Sequence, residues 1–249
     1  MPNPVGDLWI RRFHPSAGAT ARLVCFPHAG GAASFFRPVS AALAPDVEVL
    51  ALQYPGRQDR RAETPVRDLH RLADETYAAL RPHLGDRPAF FGHSMGAALA
   101  YEVALRAERD GLGPRVLVAS GRRAPSRHRT EDVHRRDDDG IIAEIRGLNG
   151  TESRVLDEEE ILRAALPALR ADYHAIETYR TSGTATLSCP VAVFVGDADP
   201  QVTPDEARAW REHTSGALEL HTFRGGHFYL TARPAETIDR LVKVLHAHG

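Results

Sequence analysis

Short apolar runs alternate along this chain with longer segments of helical periodicity, and this alternation restricts the possible folds most. The predicted strands are 22–26, 47–52, 88–91, 115–120, 191–195 and 218–223. The predicted helices are 34–44, 68–81, 95–110, 204–213 and 234–246. Strand–helix–strand order of this kind builds a parallel sheet with helices on both faces. We therefore predict an α/β fold with a mostly parallel central sheet, preceded by an antiparallel edge strand at 8–13.

The alternation stops between residues 122 and 188, where no strand pattern is found. This segment begins with a polar, arginine-rich stretch and continues with two helical patterns, at 138–148 and from 157 to about 180. Pro167 falls inside the second pattern and is expected to kink or split that helix. Because long insertions in compact domains usually serve a function, we predict a helical lid at about 122–188 on a single domain that spans residues 1–249.

The composition excludes several classes of function. The 249 residues carry a formal net charge of −2, which gives no electrostatic basis for nucleic-acid binding. No run of 18 apolar residues and no N-terminal signal pattern occurs, so we expect a soluble, cytoplasmic protein without a membrane partner. The two cysteines, Cys25 and Cys189, lie in apolar runs without the spacing of metal ligands. We expect two reduced, buried thiols and no metal site.

The stretch AFFGHSMGAALAYE (89–102) points most directly to chemistry. An apolar strand, the pattern G-x-S-x-G and a helix in direct succession define a nucleophile elbow, a sharp turn that exposes one serine hydroxyl. The flanking glycines, Gly92 and Gly96, leave room for that turn, and the helix that follows favours negative charge near its first residues. We therefore predict that Ser94 is a nucleophile.

A serine hydroxyl needs a base to take its proton, and an acid to orient that base. His227 follows the last predicted strand behind two glycines, in the stretch FRGGHFYL, and is the predicted base. Two acids follow the strand VAVFV. Asp199 precedes a proline and is therefore biased towards an extended conformation, whereas Asp197 could brace the turn. We choose Asp199, which gives the chain order serine, acid, histidine.

The negative charge that develops on a substrate oxygen needs two backbone N–H donors. One is expected from Met95, the residue after the nucleophile. The other is expected from Ala29, in the loop CFPHAGGAAS (25–34), which parallels the H-G-G-G arrangement of esterases. His28, Gly30, Gly31 and His93 are expected to support the site by packing. No metal or cofactor is required by this set of residues.

Five segments together resemble the type II thioesterases of polyketide and nonribosomal peptide synthesis. They are CFPHAGGAASFF, EVLALQYPGRQDR, FFGHSMGAALAYE, VFVGDADPQV and GGHFYL, and the resemblance spans roughly residues 8–245. It implies an α/β-hydrolase fold, with the stretch DYHAIETYR (172–180) in the lid. It also implies a substrate of small acyl groups held as thioesters on the phosphopantetheine arm of an acyl or peptidyl carrier protein. Stalled or wrongly primed acyl groups would be released, and the carrier itself brings the phosphopantetheine.

Three alternatives to this interpretation stay open. The same triad would serve a carboxylester hydrolase of small esters, or transfer the acyl group to an alcohol or amine. A non-catalytic carrier-binding protein is the third, although such proteins usually lose a triad residue. Carrier domains are usually acidic, so arginines are candidate contacts for them. The candidates are Arg57, Arg60, Arg122, Arg123 and the run 127–136.

Overall fold

A seven-stranded sheet forms the centre of the computed structural model, which describes residues 8–85, 87–149, 159–181 and 185–249. The strands are β1 (Ile10–Arg11), β2 (Ala21–Phe26), β3 (Val47–Leu52), β4 (Ala89–His93), β5 (Leu117–Ser120), β6 (Val191–Gly196) and β7 (Leu218–Phe223). Their order across the sheet is β1-β3-β2-β4-β5-β6-β7. All neighbours are parallel except β1, which pairs antiparallel with β3. The predicted sheet and its edge strand are confirmed, although the edge strand is shorter than 8–13.

The α-helices follow the strands closely. They are α1 (Arg37–Leu43), α2 (Leu69–Leu80), α3 (Met95–Arg109), α4 (Asp138–Asn149), α5 (Glu159–Thr178), α6 (Pro204–Arg208), α7 (Tyr229–Ala232) and α8 (Pro234–Ala247). The predicted helices at 34–44 and 204–213 each combine an α-helix with a 3-10 turn, Ala33–Phe36 and Ala209–His213. The single-turn α7 was not predicted, because four residues show no periodicity.

The register of the sheet brings several strand ends to one edge. Phe26 pairs with Gly92, His93 with Ser120, and Gly196 with Phe223. Because these strands are parallel, the loops that leave them start at the same edge. Ligands of open α/β sheets bind at this carboxyl edge, so the register places the candidate site here.

Apolar side chains cover both faces of the sheet. One cluster includes Val24, Leu50 and Phe90 with residues of α2 and α3, and the other includes Leu23, Phe91 and Phe194 with residues of α8. Successive residues of one strand therefore enter opposite clusters, as the alternation of side chains along a strand requires. Burial on both faces is what makes these strands apolar throughout.

The segment between β5 and β6 contains α4, α5 and a 3-10 turn at Val133–Arg135, with no strand in its described residues. A third apolar cluster holds these elements together; its members are Val133, Ile141, Ile142, Leu162, Leu166 and Leu169. Pro167 lies within α5 and does not split it, contrary to that part of our prediction. Its neighbours Leu166 and Leu169 are buried in the third cluster, and such packing offsets the lost helical hydrogen bond. The predicted helix start at residue 157 lies outside the described residues.

Cys25 and Cys189 are both buried as thiols, as expected from their apolar surroundings. Burial raises the pKa of both thiols, because a thiolate has no water to solvate it there. Within the described residues, no helix combines the length and the apolar character needed to cross a membrane.

Candidate active site

Ser94 lies at a strained turn between β4 and α3. Its φ of 54° and ψ of −119° fall in a region that residues with side chains seldom adopt. The amide of Ser94 donates to the carbonyl of Ser120 at 2.8 Å, which fixes the turn to the end of β5. The Ser94 side chain makes no capping hydrogen bond to α3, so its hydroxyl is available for another partner.

The two glycines of the elbow are required by close backbone approaches. A Cβ atom on Gly92 would lie 2.2 Å from the carbonyl oxygen of Gly96, and one on Gly96 would lie 2.0 Å from that of Phe26. Neither contact can be relieved by a side-chain movement, because both neighbours are backbone atoms. The sequence pattern therefore reflects the shape of the turn, as a nucleophile elbow demands.

His227 and Asp199 form a buried pair in the loops after β7 and β6. The Nδ1 atom of His227 lies 2.9 Å and 3.0 Å from the two carboxylate oxygens of Asp199. A carboxylate only accepts hydrogen bonds, so Nδ1 is the donor and the lone pair of the neutral ring is on Nε2. The amide of Gln201 also donates to Asp199, at 2.8 Å. Asp199 thus fixes both the tautomer and the direction of the imidazole.

Asp197, the other acid considered from the sequence, lies outside this pair. Its carboxylate accepts a hydrogen bond from the Gly225 amide at 2.8 Å and so braces the loop that carries His227. Ser94 and His227 line one cavity, and no hydrogen bond joins their side chains within the described part of the chain. Catalytic hydrogen bonds often tighten only when substrate binds.

Two amides at this cavity have no intramolecular acceptor among the described residues. They belong to Met95, at the start of α3, and to Ala29, in the loop after β2; both residues line the cavity with Ser94. The adjacent amides are occupied, because Gly30 donates to Asp172 at 2.8 Å and Gly31 donates to the carbonyl of His28 at 2.9 Å. Both amides are therefore available at the cavity, and the role of Ala29 and Met95 as oxyanion donors stays a prediction.

His28 and His93 pack behind the catalytic candidates. The His93 ring lies 5.0 Å from that of His227, and its Nδ1 is 2.9 Å from the hydroxyl of Ser120. Burial lowers the pKa of His93 well below its usual value, and the nearby His227 and His28 lower it further. Burial, with His227 and then Arg57, lowers the pKa of His28 to about 3. Both rings are neutral near pH 7.

These two histidines should make the protein less stable as the pH falls. Their folded pKa values lie below the unfolded value of about 6.5, so between these limits the unfolded chain binds more protons. The free energy of unfolding is expected to fall below pH 6.5 by up to about 1.4 kcal/mol per pH unit for each histidine. Urea unfolding at half-unit steps from pH 7.5 to pH 5 measures this slope.

The matched control for this pH dependence is His28→Gln, which removes one titrating ring and keeps a polar side chain. Its slope below pH 6.5 is expected to be smaller than that of the wild type by about 1.4 kcal/mol per pH unit. Equal slopes for the two proteins would mean that folding does not lower the pKa of His28.

The cavity beside Ser94 has a volume of about 90 Å³ and both apolar and charged walls. Its lining includes Ala29, Ser94, Met95, Arg122, Glu131, Val133, Arg136, Glu144, Leu148, Tyr173, Ile176, Glu177, Gln201 and His227. Most of these residues come from the segment between β5 and β6. Sequence reasoning did not identify them, because nothing in that segment indicates which side chains face the serine.

The structure corrects part of the hypothesis on carrier-contacting arginines. Arg57, Arg60 and Arg123 are buried, and their carboxylate partners lie within the chain, at Asp172, Glu63 and Glu131. These three cannot reach a partner protein without leaving the core. The exposed members of the run 127–136 stay candidates.

Arg122 lies at the cavity and is partly buried, and its contact with a carrier protein stays a prediction. It lines that cavity together with Ser94. Burial, together with the charge of Arg123, lowers its pKa to about 9. Its side chain therefore belongs to the walls of the site.

The described residues contain no group of three or more His, Cys, Asp or Glu side chains arranged to hold a metal ion. A hydroxyl at a strained elbow, a histidine held by a carboxylate and two unpaired amides are the parts used in acyl transfer.

A parallel sheet with this elbow and this order of serine, acid and histidine defines an α/β-hydrolase. Residues 21–247 match the thioesterase domain family, and the chain belongs to that family. It is 56% identical over 239 residues to the probable cadicidin biosynthesis thioesterase of Streptomyces griseus. This alignment covers 96% of this chain and 66% of that protein. It is 51% identical over 230 residues to thioesterase PikA5 of Streptomyces venezuelae, covering 92% of this chain and 82% of that protein.

Solved structures give the same result. The type II thioesterase BorB from the borrelidin biosynthetic cluster is 50% identical and superposes with a TM-score of 0.92, over 95% of this chain and 97% of that one. The thioesterase RedJ from the prodiginine pathway of Streptomyces coelicolor is 39% identical, with a TM-score of 0.85, over 95% and 89% of the two chains. The predicted resemblance to type II thioesterases, the α/β-hydrolase fold and the thioester hydrolase class are confirmed.

Proposed function

We propose that this protein hydrolyses acyl thioesters on the phosphopantetheine arm of acyl or peptidyl carrier proteins, and so releases stalled or aberrant acyl groups during polyketide or nonribosomal peptide synthesis. The observation that carries the proposal is the pair of His227 and Asp199, 2.9 Å apart, on the same cavity as the elbow Ser94 in a chain of the thioesterase family. The names of its relatives supply the biosynthetic setting.

In the proposed first step, His227 Nε2 takes the proton of the Ser94 hydroxyl as Oγ bonds to the thioester carbonyl carbon. The carbonyl electrons move onto oxygen, where the amides of Ala29 and Met95 hold the charge. The C–S bond then breaks, the sulfur receives the proton from His227, and an acyl-serine remains. A water, deprotonated by His227, attacks that ester; the bond to Ser94 Oγ breaks, Oγ receives the proton back from His227, and the free acid leaves.

The cavity supports a preference for short acyl groups. At 10–15 Å³ for each water-sized group, its volume of about 90 Å³ has room for roughly six to nine such groups. The remainder of the substrate, the phosphopantetheine arm, arrives with the carrier protein, so we propose that the enzyme needs no cofactor of its own. The exposed arginines of the run 127–136 are the proposed contacts for an acidic carrier.

The test is mass spectrometry of a propionyl-loaded acyl carrier protein after incubation with wild type or with Ser94→Ala. Wild type is expected to remove the mass of the acyl group, and the variant is expected to leave the carrier loaded. Carrying out the reaction in H₂¹⁸O identifies the acceptor, because hydrolysis places ¹⁸O in the released acid.

Other outcomes would favour the alternative functions. Intact carriers together with rapid cleavage of p-nitrophenyl propanoate would favour a carboxylester hydrolase. Formation of an ester or amide with an added alcohol or amine, in place of ¹⁸O-labelled free acid, would favour acyl transfer. A carrier that is bound but chemically unchanged would favour the non-catalytic binding protein.

A further inference from the structure

The loop that carries the Ala29 amide is held by a buried carboxylate from helix α5. The Gly30 amide donates to the Oδ2 atom of Asp172 at 2.8 Å. Asp172 is 1% exposed, so water does not compete for this hydrogen bond. Gly30 has a φ of +73°, and the Gly31 amide closes the turn by donating to the His28 carbonyl. In so tight a turn, the direction of the Gly30 amide and that of the neighbouring Ala29 amide are linked.

Asp172 is in turn fixed by Arg57 from the loop after β3. The Nη2 atom of Arg57 contacts the same Oδ2 atom that accepts from Gly30. The other terminal nitrogen, Nη1, donates to the carbonyl of Pro55 at 2.5 Å, and the guanidinium lies 5.0 Å from the centre of the Tyr54 ring. Arg57 therefore anchors the carboxylate to backbone and aromatic atoms just beyond the end of β3.

Helix α5 makes a second contact with Gly30, through Leu169. A Cβ atom on Gly30 would lie 2.2 Å from Leu169, so the leucine side chain lies directly over the glycine. Leu169 and Asp172 are three residues apart and therefore lie on one face of the helix. A displacement of α5 would thus move both the apolar contact and the hydrogen-bond acceptor of Gly30.

Stability alone does not explain a buried ion pair, since a protein with an apolar pair of similar volume in its place is often at least as stable. Burial raises the pKa of Asp172, although Arg57 and the Gly30 amide oppose that rise. This carboxylate accepts from a loop amide one residue from Ala29, and a role in positioning that loop would account for the buried pair. Backbone donors act on an oxyanion only when they are held in position before the reaction.

We propose that Asp172, anchored by Arg57, is a positioning residue that sets the direction of the Ala29 amide and so couples the seating of α5 to oxyanion stabilisation. The inference rests on the proposed function only in that Ala29 serves as an oxyanion donor. It does not depend on whether the substrate is a carrier-bound thioester or a simple ester.

The test uses p-nitrophenyl propanoate and a trifluoromethyl ketone, whose adduct with Ser94 carries an oxyanion. Asp172→Asn is expected to lower kcat about 10- to 100-fold, less than the full loss of a donor, with KM within twofold of the wild type. The affinity for the ketone should fall by the same factor, because that adduct needs the same amide. The matched control is Glu102→Gln, which removes another buried carboxylate, one that contacts Tyr179 directly after the end of α5.

Glu102 suits this purpose because its partners lie away from the loop. It accepts from Arg106 at 2.7 Å and from the hydroxyl of Tyr179 at 2.8 Å. Glu102→Gln should keep kcat and ketone affinity within threefold of the wild type, even if its melting temperature falls. If Glu102→Gln loses as much kcat as Asp172→Asn, the effect of Asp172 is one of general stability and the proposal is wrong.

A double variant separates an effect on the position of the Ala29 amide from an effect on protein stability, even if Asp172→Asn folds poorly. Asp172→Leu combined with Arg57→Met replaces the ion pair by apolar side chains, which is expected to maintain the melting temperature. If kcat and ketone affinity stay low in this stable protein, the positioning role is supported; if they return to wild-type values, it is refuted. Wild type that cleaves the ester but no carrier thioester would refute the proposed function and leave this test valid.

Discussion

Ser94→Ala is expected to lower the rate of thioester hydrolysis by about 10⁵- to 10⁶-fold, since the variant has no oxygen to attack the carbonyl. The residual rate would come from the oxyanion donors and from substrate binding. Release of free thiol from a propionyl thioester, followed with a thiol reagent, measures this loss. A rate above one hundredth of the wild type would show that another group is the nucleophile.

The same position allows a control for backbone strain. Ser94→Gly is expected to be as inactive as Ser94→Ala, but more stable by about 1 kcal/mol, because glycine adopts a φ of 54° without a steric penalty. Urea unfolding of the two variants measures the difference. Equal free energies of unfolding would contradict a strained elbow.

Asp199→Asn is expected to lower kcat by about 10⁴-fold with little effect on KM. The asparagine side chain can donate its amide hydrogen to Nδ1 of His227, and this favours the tautomer that carries its proton on Nε2. That tautomer cannot take the proton of Ser94. Steady-state kinetics of the variant and the wild type, measured with a propionyl thioester at the same pH, give the loss in kcat.

The matched control for this variant is Asp197→Asn, two residues away in the same loop. Asp197 braces the Gly225 amide and does not contact His227, so its variant is expected to keep kcat within tenfold of the wild type while losing some stability. A larger loss of kcat for Asp197→Asn than for Asp199→Asn would reverse the assignment of the acid.

The parallel strands could be predicted almost residue by residue. The prediction for 47–52 coincides with β3, and that for 218–223 coincides with β7. Each such strand is a short apolar or alternating run with clear breaks at its ends. The antiparallel edge strand β1 is harder to delimit, since only Ile10 and Arg11 pair with β3, although the apolar pattern extends further.

The positions of Ser94, Asp199 and His227 could also be predicted, because each follows a strand whose end is visible in the sequence. The link between Arg57 and Asp172 could not. These residues are 115 positions apart, and neither lies on a strand whose register would bring the two together. Without the structure, an arginine in a loop and an aspartate on a helix are most simply interpreted as solvent-exposed charges.

Part of the cavity wall is packed separately from the sheet that carries the candidate triad, and this has an evolutionary consequence. Val133 and Tyr173 line the cavity and contact the third apolar cluster, which is distinct from the two clusters that cover the sheet. Selection can therefore alter the side of the wall formed by Val133 and Tyr173 without weakening the packing around Ser94, Asp199 and His227. Exceptions on α5 are Leu169 and Asp172, which both contact Gly30, and Ile176, which lines the cavity and belongs to one of the clusters that cover the sheet. Divergence among such enzymes would be concentrated on one side of α5 and restrained on the other.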